Sequence, residues 1–136
     1  METLSLGLAI SMFVVGVVYD LFGPSAARVS LPLLLLAAVG FYLVTQFFSG
    51  IFFVVIIFES LALLFALTGY TWLAVHTPHR GPVCMAAGVL VSILAAGIQA
   101  IKSVKIRLVW EFDHNGVFHL VQLAGIVLLV AGIRFS

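Results

Sequence analysis

The stretch that decides the fold is LPLLLLAAVGFYLVTQFFSGIFFVVIIFESLALLFALTGYTWLAV, residues 31–75, in which Glu59 is the only charged side chain. Built as one helix at about 1.5 Å per residue, it would be about 67 Å long. That is more than twice the thickness of a hydrocarbon core of about 30 Å. The chain must therefore turn back, and the breaker near the middle is Ser49-Gly50. The sequence predicts two membrane spans joined by a tight hairpin.

The composition of the whole chain points to the same environment. Of its 136 residues, 64% are hydrophobic and 8% are charged. A water-soluble domain has about a quarter of its residues charged, and small domains bury the smallest fraction of their surface. Lipid is the solvent that suits such a chain, so we expect an all-α integral membrane bundle. The net charge of +1 gives no reason to expect nucleic acid as a partner.

Outside the central stretch, the same length criterion predicts three further spans, which gives five in total. Gly23-Pro24 ends the first span, Arg28 marks the following loop, and Pro32 occupies the first turn of the second span. The predicted spans are residues 4–22, 31–48, 51–75, 83–101 and 115–133.

Five alternating spans assign every connection to one of two membrane faces. We call the face with the N-terminus side A; it also carries Ser49-Gly50 and the connection 102–114. Side B carries the loop 76–81 and the C-terminus. Cations tend to be enriched on the cytoplasmic face, but the two sides tie, so the orientation stays open. The cations are Lys102, Lys105 and Arg107 on side A, and Arg28, Arg80 and Arg134 on side B.

Polar side chains within the predicted spans collect toward side A. Glu59 lies about 12 Å and His119 about 6 Å from that face, at about 1.5 Å per residue. Ionisable groups in hydrocarbon cost several kcal/mol, so they usually face a protein interior or a wet cavity. These two residues are therefore the leading candidates for a substrate, proton or metal site.

Amide side chains add to this cluster. Asn115, His119 and Gln122 have i, i+4, i+7 spacing, which puts them on one helical stripe. Gln99 and Gln46 lie near the side A ends of their spans. Such amides can bind a ligand, or they can join helices by hydrogen bonds worth about 0.6–2 kcal/mol. Both interpretations are kept. His76 and His79 lie on side B, too far away to share an ion with His119.

A stripe of small residues runs along the fourth span: Gly88, Ser92, Ala96 and Ala100. Small residues every four positions let a second helix backbone approach closely. The stripe suggests an interface with a second copy of the chain or with a larger membrane complex. It supports an alternative function, that of a small non-catalytic accessory or assembly subunit.

The segment DHNGVFHLVQ, residues 113–122, resembles the final helix of a group of uncharacterised bacterial polytopic membrane proteins. Gln99, in AAGIQ at residues 95–99, resembles the penultimate helix of that group. These proteins are distantly similar to the CREST superfamily of alkaline ceramidases and progestin/adiponectin-type receptors. The resemblance covers about the last 40 residues. It implies a bacterial inner-membrane protein that uses zinc to hydrolyse lipid amides.

The resemblance also implies roles for individual residues. His119 and His114 would be metal ligands, with Glu59 as a third ligand or a catalytic group. Asp113 would transfer protons, and Asn115, Gln122 and Gln99 would bind the ligand. The chain departs from the superfamily in having five predicted spans instead of seven. It also has only two histidines on side A, and their spacing is i, i+5 instead of i, i+4.

Overall fold

The computed structural model describes the chain except for residues 1, 48, 49, 101–105, 108–110 and 113, and describes side chains for residues 3–47, 50, 53–98 and 116–136. Within these limits it contains five α-helices, each long and apolar enough to cross a membrane. The predicted all-α membrane fold with five spans is confirmed. The helices are α1 (Glu2–Phe22), α2 (Pro24–Phe47), α3 (Ile51–His76), α4 (Arg80–Ala100) and α5 (His114–Arg134).

The largest difference from the predicted spans lies at the start of α2. The helix begins at Pro24, seven residues before the predicted position, so Arg28 is helical and does not lie in a loop. A single residue, Gly23, makes the connection with a φ of 85°. Glycine reaches this left-handed conformation without steric cost, and proline suits the first turn of a helix. Gly23-Pro24 therefore ends one helix and starts the next.

Pro32 lies inside α2 as a result, and the prediction that it occupies the first turn is wrong. A proline at this position cannot donate the backbone hydrogen bond to the residue four positions earlier. Membrane helices tolerate this loss where nearby groups satisfy the freed backbone. Ser30 Oγ donates to the Ala27 carbonyl 3.0 Å away, in the turn just before the proline.

The other helix ends differ by a few residues. α4 starts at Arg80, three residues before the predicted position, with Pro82 in its first turn. α1 starts at Glu2, and α3 ends at His76. A two-residue strand pair, β1 (Ile106–Arg107) and β2 (Glu111–Phe112), lies in the connection before α5 and is antiparallel. Ile106 pairs with Phe112.

The contacts divide the chain into a first unit, Met1–Gly69, and a second unit, Tyr70–Ser136. In the first unit α1 packs against α2. A Cβ added at Gly7 would lie 2.8 Å from Phe41 Cδ1, so the bare glycine lets the Phe41 ring approach α1. One turn nearer to side A, the hydroxyl of Thr45 lies 3.4 Å from that of Thr3. α1 and α2 are therefore antiparallel.

The predicted reversal at residues 49–50 is confirmed by contacts on both sides of it. The rings of Phe41 in α2 and Phe58 in α3 stack, with centroids 4.6 Å apart. At the other end of the unit, a Cβ on Gly69 would lie 2.6 Å from Leu21 Cδ1 of α1. α3 thus runs antiparallel to α2 and parallel to α1. Backbone N–H groups of Phe53 and Val54 both donate to the Gly50 carbonyl, which starts α3.

The second unit is built on the packing of α4 against α5. A Cβ on Gly88 would lie 2.8 Å from Leu129 Cγ and 3.0 Å from the Gly125 carbonyl oxygen. A Cβ on Gly132 would lie 2.6 Å from both Cγ and Sδ of Met85. The two backbones approach so closely because these positions lack side chains, as is typical where membrane helices pack by van der Waals contact.

Candidate functional site

Glu59 lies on the packed face of α3. It is half-buried, and the positions three and seven residues further along the helix are the buried Ala62 and Ala66. Residues with this spacing share one helix face. Ile57, by contrast, is 60% exposed and lies on the lipid-facing side. The carboxyl therefore lies on the buried side of α3, as expected for an ionisable group that persists inside a membrane.

The side chains that could neutralise or bind Glu59 within the first unit are few. The other titratable groups with described side chains there are Tyr19, Asp20, Arg28 and Tyr42. The contacts between α1 and α2 place Arg28 level with about residue 20 of α1, on the side B half. Tyr42 is half-buried on the side A half of α2. Neither the Glu59 carboxyl nor the Tyr42 hydroxyl has a hydrogen bond or ion pair among the described residues.

Ser11 is a polar group that no sequence pattern singles out. Its side chain is 1% exposed, and its Oγ is the buried side-chain polar atom without a hydrogen-bond partner in the described part of the chain. Several other hydroxyls in the helices donate to a carbonyl in the preceding turn, as Thr45 does to Tyr42 and Ser92 to Gly88. Buried polar groups normally have a partner, so this exception needs an explanation.

His119 of the predicted polar stripe lies on a face of α5 turned away from α4. Gly125 and Gly132 are buried in the α4–α5 contact, whereas His119 is exposed. His119 precedes Gly125 by six residues, which places it about 120° away around the helix. Gln122 is half-buried and lies about 60° from Gly125, on the flank of the contact. The imidazole contacts the Phe118 ring, with centroids 5.0 Å apart and the planes tilted by 56°. A histidine in this position offers its ring nitrogens to a neighbouring molecule or to the membrane interface.

The remaining predicted site residues lie at the side A end of the second unit. Asp113 lies outside the described residues. Gln99, His114 and Asn115 are helical, and their side chains lie outside the described set. Gln46 is exposed near the end of α2. Of the members of the predicted cluster nearest its centre, Glu59 therefore lies in the first unit, and His119 and Gln122 lie in the second.

A structural zinc site needs four ligands, and a catalytic one usually takes three protein ligands and a water. Among the described residues no group of three His, Cys, Asp or Glu side chains could hold a metal ion. His114 and Asp113, which the CREST resemblance adds to the set, lie outside the described side chains, so the described residues alone do not provide three zinc ligands.

Of the two histidines on side B, His76 contacts a residue of its own helix. His76 Nδ1 lies 2.8 Å from the Trp72 carbonyl oxygen, and its ring stacks on that of Trp72 at a centroid distance of 4.6 Å. His79 is exposed in the short connection before α4. These contacts fit residues at the membrane interface, where Trp and polar side chains are enriched.

Part of the small-residue stripe of α4 packs against α5 of the same chain. Gly88 and Ser92 are buried against α5, and a Cβ on Gly125 would lie 3.0 Å from Ser92 Oγ. Ala96 is half-buried, and the side chain of Ala100 is not described. The association with a second chain stays a prediction, and the Gly88–Ser92 part of the stripe already has a partner in α5.

Comparison with known proteins gives one match. The whole chain, residues 1–136, matches a family described as "Family of unknown function (DUF6962)". The chain belongs to this family. No curated protein and no solved structure matches it. The five helices of this DUF6962 member, each long and apolar enough to span a membrane, indicate an integral membrane protein.

Proposed function

We propose that this protein binds a small polar ligand or ion within the membrane and that Glu59 is the central binding group. The observation that carries the proposal is the position of Glu59 on the packed face of α3, one turn from the buried Ala62. The lipid-facing positions of that helix carry apolar side chains such as Ile57 and Leu61.

The energetics favour binding over a purely structural role. A carboxyl in a hydrocarbon environment costs several kcal/mol, and a structural residue would recover this cost through hydrogen bonds to neighbouring helices. Within the described residues Glu59 makes no such bond. A ligand that supplies hydrogen bonds or a compensating charge accounts for its retention.

The resemblance to the CREST superfamily adds a more specific version of this proposal. In that version the ligand is a metal ion held by His114 and His119, and the protein hydrolyses lipid amides with the help of Asp113. Gln99, Asn115 and Gln122 would bind the substrate. This version is supported by the segment at residues 113–122, and it requires the two histidines to lie close to Glu59.

Metal analysis of the detergent-purified protein tests the enzyme version. One zinc per chain, lost in both His119→Ala and Glu59→Gln but kept in the side B control His76→Ala, supports it, as does hydrolysis of a fluorescent lipid amide that follows the zinc content. Protein that contains no zinc after incubation with the metal, and that cleaves no lipid amide, removes the enzyme version. Ligand binding at Glu59 is tested by the rate at which dicyclohexylcarbodiimide modifies its carboxyl in lipid vesicles. A bound ligand slows this modification, Glu59→Gln abolishes it, and a rate that no added ion changes contradicts ion binding at Glu59.

A second candidate function, that of a small accessory subunit, is favoured by one observation: His119 is exposed on a face of α5 turned away from α4. A partner helix would satisfy this imidazole by a hydrogen bond. In this case the protein co-purifies with a larger complex at fixed stoichiometry, and His119→Leu weakens the association. Leu120→Ala, at an exposed position about 100° around the helix from His119, does not. Purification as a free monomer from native membranes contradicts it.

A further inference from the structure

Two arginines lie at one end of the α4–α5 pair, the end on side B. α4 begins at Arg80, and Arg134 lies in the last turn of α5. A Cβ on Gly81 would lie 2.8 Å from Cα of Ser136 and 2.9 Å from its backbone nitrogen, so the start of α4 contacts the end of α5. Both arginine side chains are exposed, and neither has an ion pair among the described residues.

The positive charge at this end is not balanced by acidic side chains of the same unit. The acids of the unit, Glu111 and Asp113, precede α5 in the sequence, whereas the arginine end is where α5 finishes. Counting a terminal carboxylate on Ser136 against the two arginines still leaves one positive charge in excess. The first unit differs, because there Arg28 lies level with Asp20.

Arg134 lies at the end of an apolar stripe on the surface of α5 that faces away from α4. It follows the packed Gly132 by two residues, which is about 200° around the helix. Leu123, Val127 and Val130 lie eleven, seven and four residues before Arg134, and all three are exposed. This spacing places them on the same helix face as the arginine. A phospholipid whose chains cover this face carries its headgroup at the level of the guanidinium.

Arg80 has a corresponding position on α4. Val83, Leu90 and Leu94 follow it by three, ten and fourteen residues, lie on the same side of the helix and are exposed. Arg80 is also the first residue of α4, and the first turn contains no acidic side chain. The positive end of the helix dipole disfavours a cation at this position and favours an anion. An anion bound by Arg80 would remove this unfavourable interaction.

We infer that Arg80 and Arg134 each bind the headgroup phosphate of an anionic phospholipid, whose chains cover the apolar stripe beside that arginine. A guanidinium can hold a phosphate by two parallel hydrogen bonds. Since Arg134 faces away from α4, the two arginines bind separate lipids. The inference is independent of ligand binding at Glu59.

The charge balance selects an anionic lipid over a zwitterionic one. A zwitterionic headgroup brings its own cation and leaves the excess positive charge of this end in place. An anionic headgroup cancels the charge of the arginine that binds it, and basic residues at a membrane face attract such lipids.

The test is native mass spectrometry of the full-length protein, released from micelles that contain equal amounts of phosphatidylglycerol and phosphatidylcholine. We expect one phosphatidylglycerol to be retained for each arginine, with a preference of about fivefold over phosphatidylcholine, the effect of one arginine near an anionic surface. Arg80→Gln and Arg134→Gln each remove one of these lipids, and the double variant removes both. Far-ultraviolet circular dichroism shows that each variant keeps its helices.

The matched control is Arg28→Gln, which removes an exposed arginine that lies level with Asp20 and leaves lipid retention at the wild-type value. A second arm adds inorganic phosphate to the micelles, and we expect it not to displace the lipids at millimolar concentration.

Three results overturn the inference. The double variant retains phosphatidylglycerol as wild type does, which means that the arginines do not bind it. Arg28→Gln loses as much lipid as Arg134→Gln, which means that the attraction is not specific to this end of α4 and α5. Inorganic phosphate displaces the lipids, which means that the arginines bind the free anion instead of a headgroup.

Discussion

The two units of this protein use small and hydroxyl-bearing residues in different ways. In the second unit, Ser92 lies in the contact between α4 and α5 and donates to the Gly88 carbonyl 3.0 Å away, so its polar atom is satisfied. In the first unit, Ser11 is also buried, but its hydroxyl has no partner among the described residues. The comparison teaches that burial of a polar residue between membrane helices does not by itself satisfy its hydrogen bonds.

The largest expected effect concerns the packing of the second unit. Gly88→Ala would place a Cβ 2.8 Å from Leu129 Cγ and 3.0 Å from a backbone oxygen of α5, which cannot move without shifting the helix. We expect a loss of about 2–3 kcal/mol in the free energy of unfolding, typical of overpacking. Reversible unfolding of the protein in mixed detergent micelles measures it.

The matched control lies on the same helix. A Cβ on Gly97 would meet no heavy atom within 4 Å, so Gly97→Ala changes the free energy of unfolding by less than about 0.5 kcal/mol. Equal losses for the two substitutions would show that the close approach of α4 and α5 at Gly88 does not stabilise the second unit.

A smaller effect distinguishes the two buried serines. Ser92→Ala removes a satisfied hydrogen bond and should lower the free energy of unfolding by about 0.5–1 kcal/mol. Ser11→Ala removes a buried hydroxyl without a partner among the described residues, so the change should be neutral or slightly stabilising. The measurement is the reversible unfolding of both variants in mixed detergent micelles. A destabilisation of Ser11→Ala as large as that of Ser92→Ala would mean that both serines serve packing alone.

Much of the fold could be predicted from the sequence because it follows from length and hydropathy. The stretch 31–75 is too long for one span, and the reversal at residues 49–50 was confirmed by the Phe41–Phe58 stack. The start of α2 was not predictable in the same way. Gly23-Pro24 can end a helix before a loop or join two helices directly, and only the backbone conformation at Gly23 decides between the two.

The candidate site was predictable only where a residue is unusual for its environment. Glu59 is conspicuous because a charged residue is rare in a span, and its packed position agrees with that expectation. A single serine in an apolar helix gives no such signal, because most serines in membrane helices donate to their own backbone. Ser11 stands out only through its missing hydrogen-bond partner.

The central claim is that Glu59 lies on the buried side of α3, and the oxygen accessibility of spin labels tests it most directly. In a Cys84→Ser background in lipid vesicles, a nitroxide attached to Ile57→Cys, on the exposed side of α3, should be relaxed strongly by molecular oxygen, which partitions into lipid. A nitroxide attached to Glu59→Cys should be relaxed less. Equal relaxation at the two positions, or stronger relaxation at position 59, would show that the carboxyl points into lipid and would contradict the proposed binding role of Glu59.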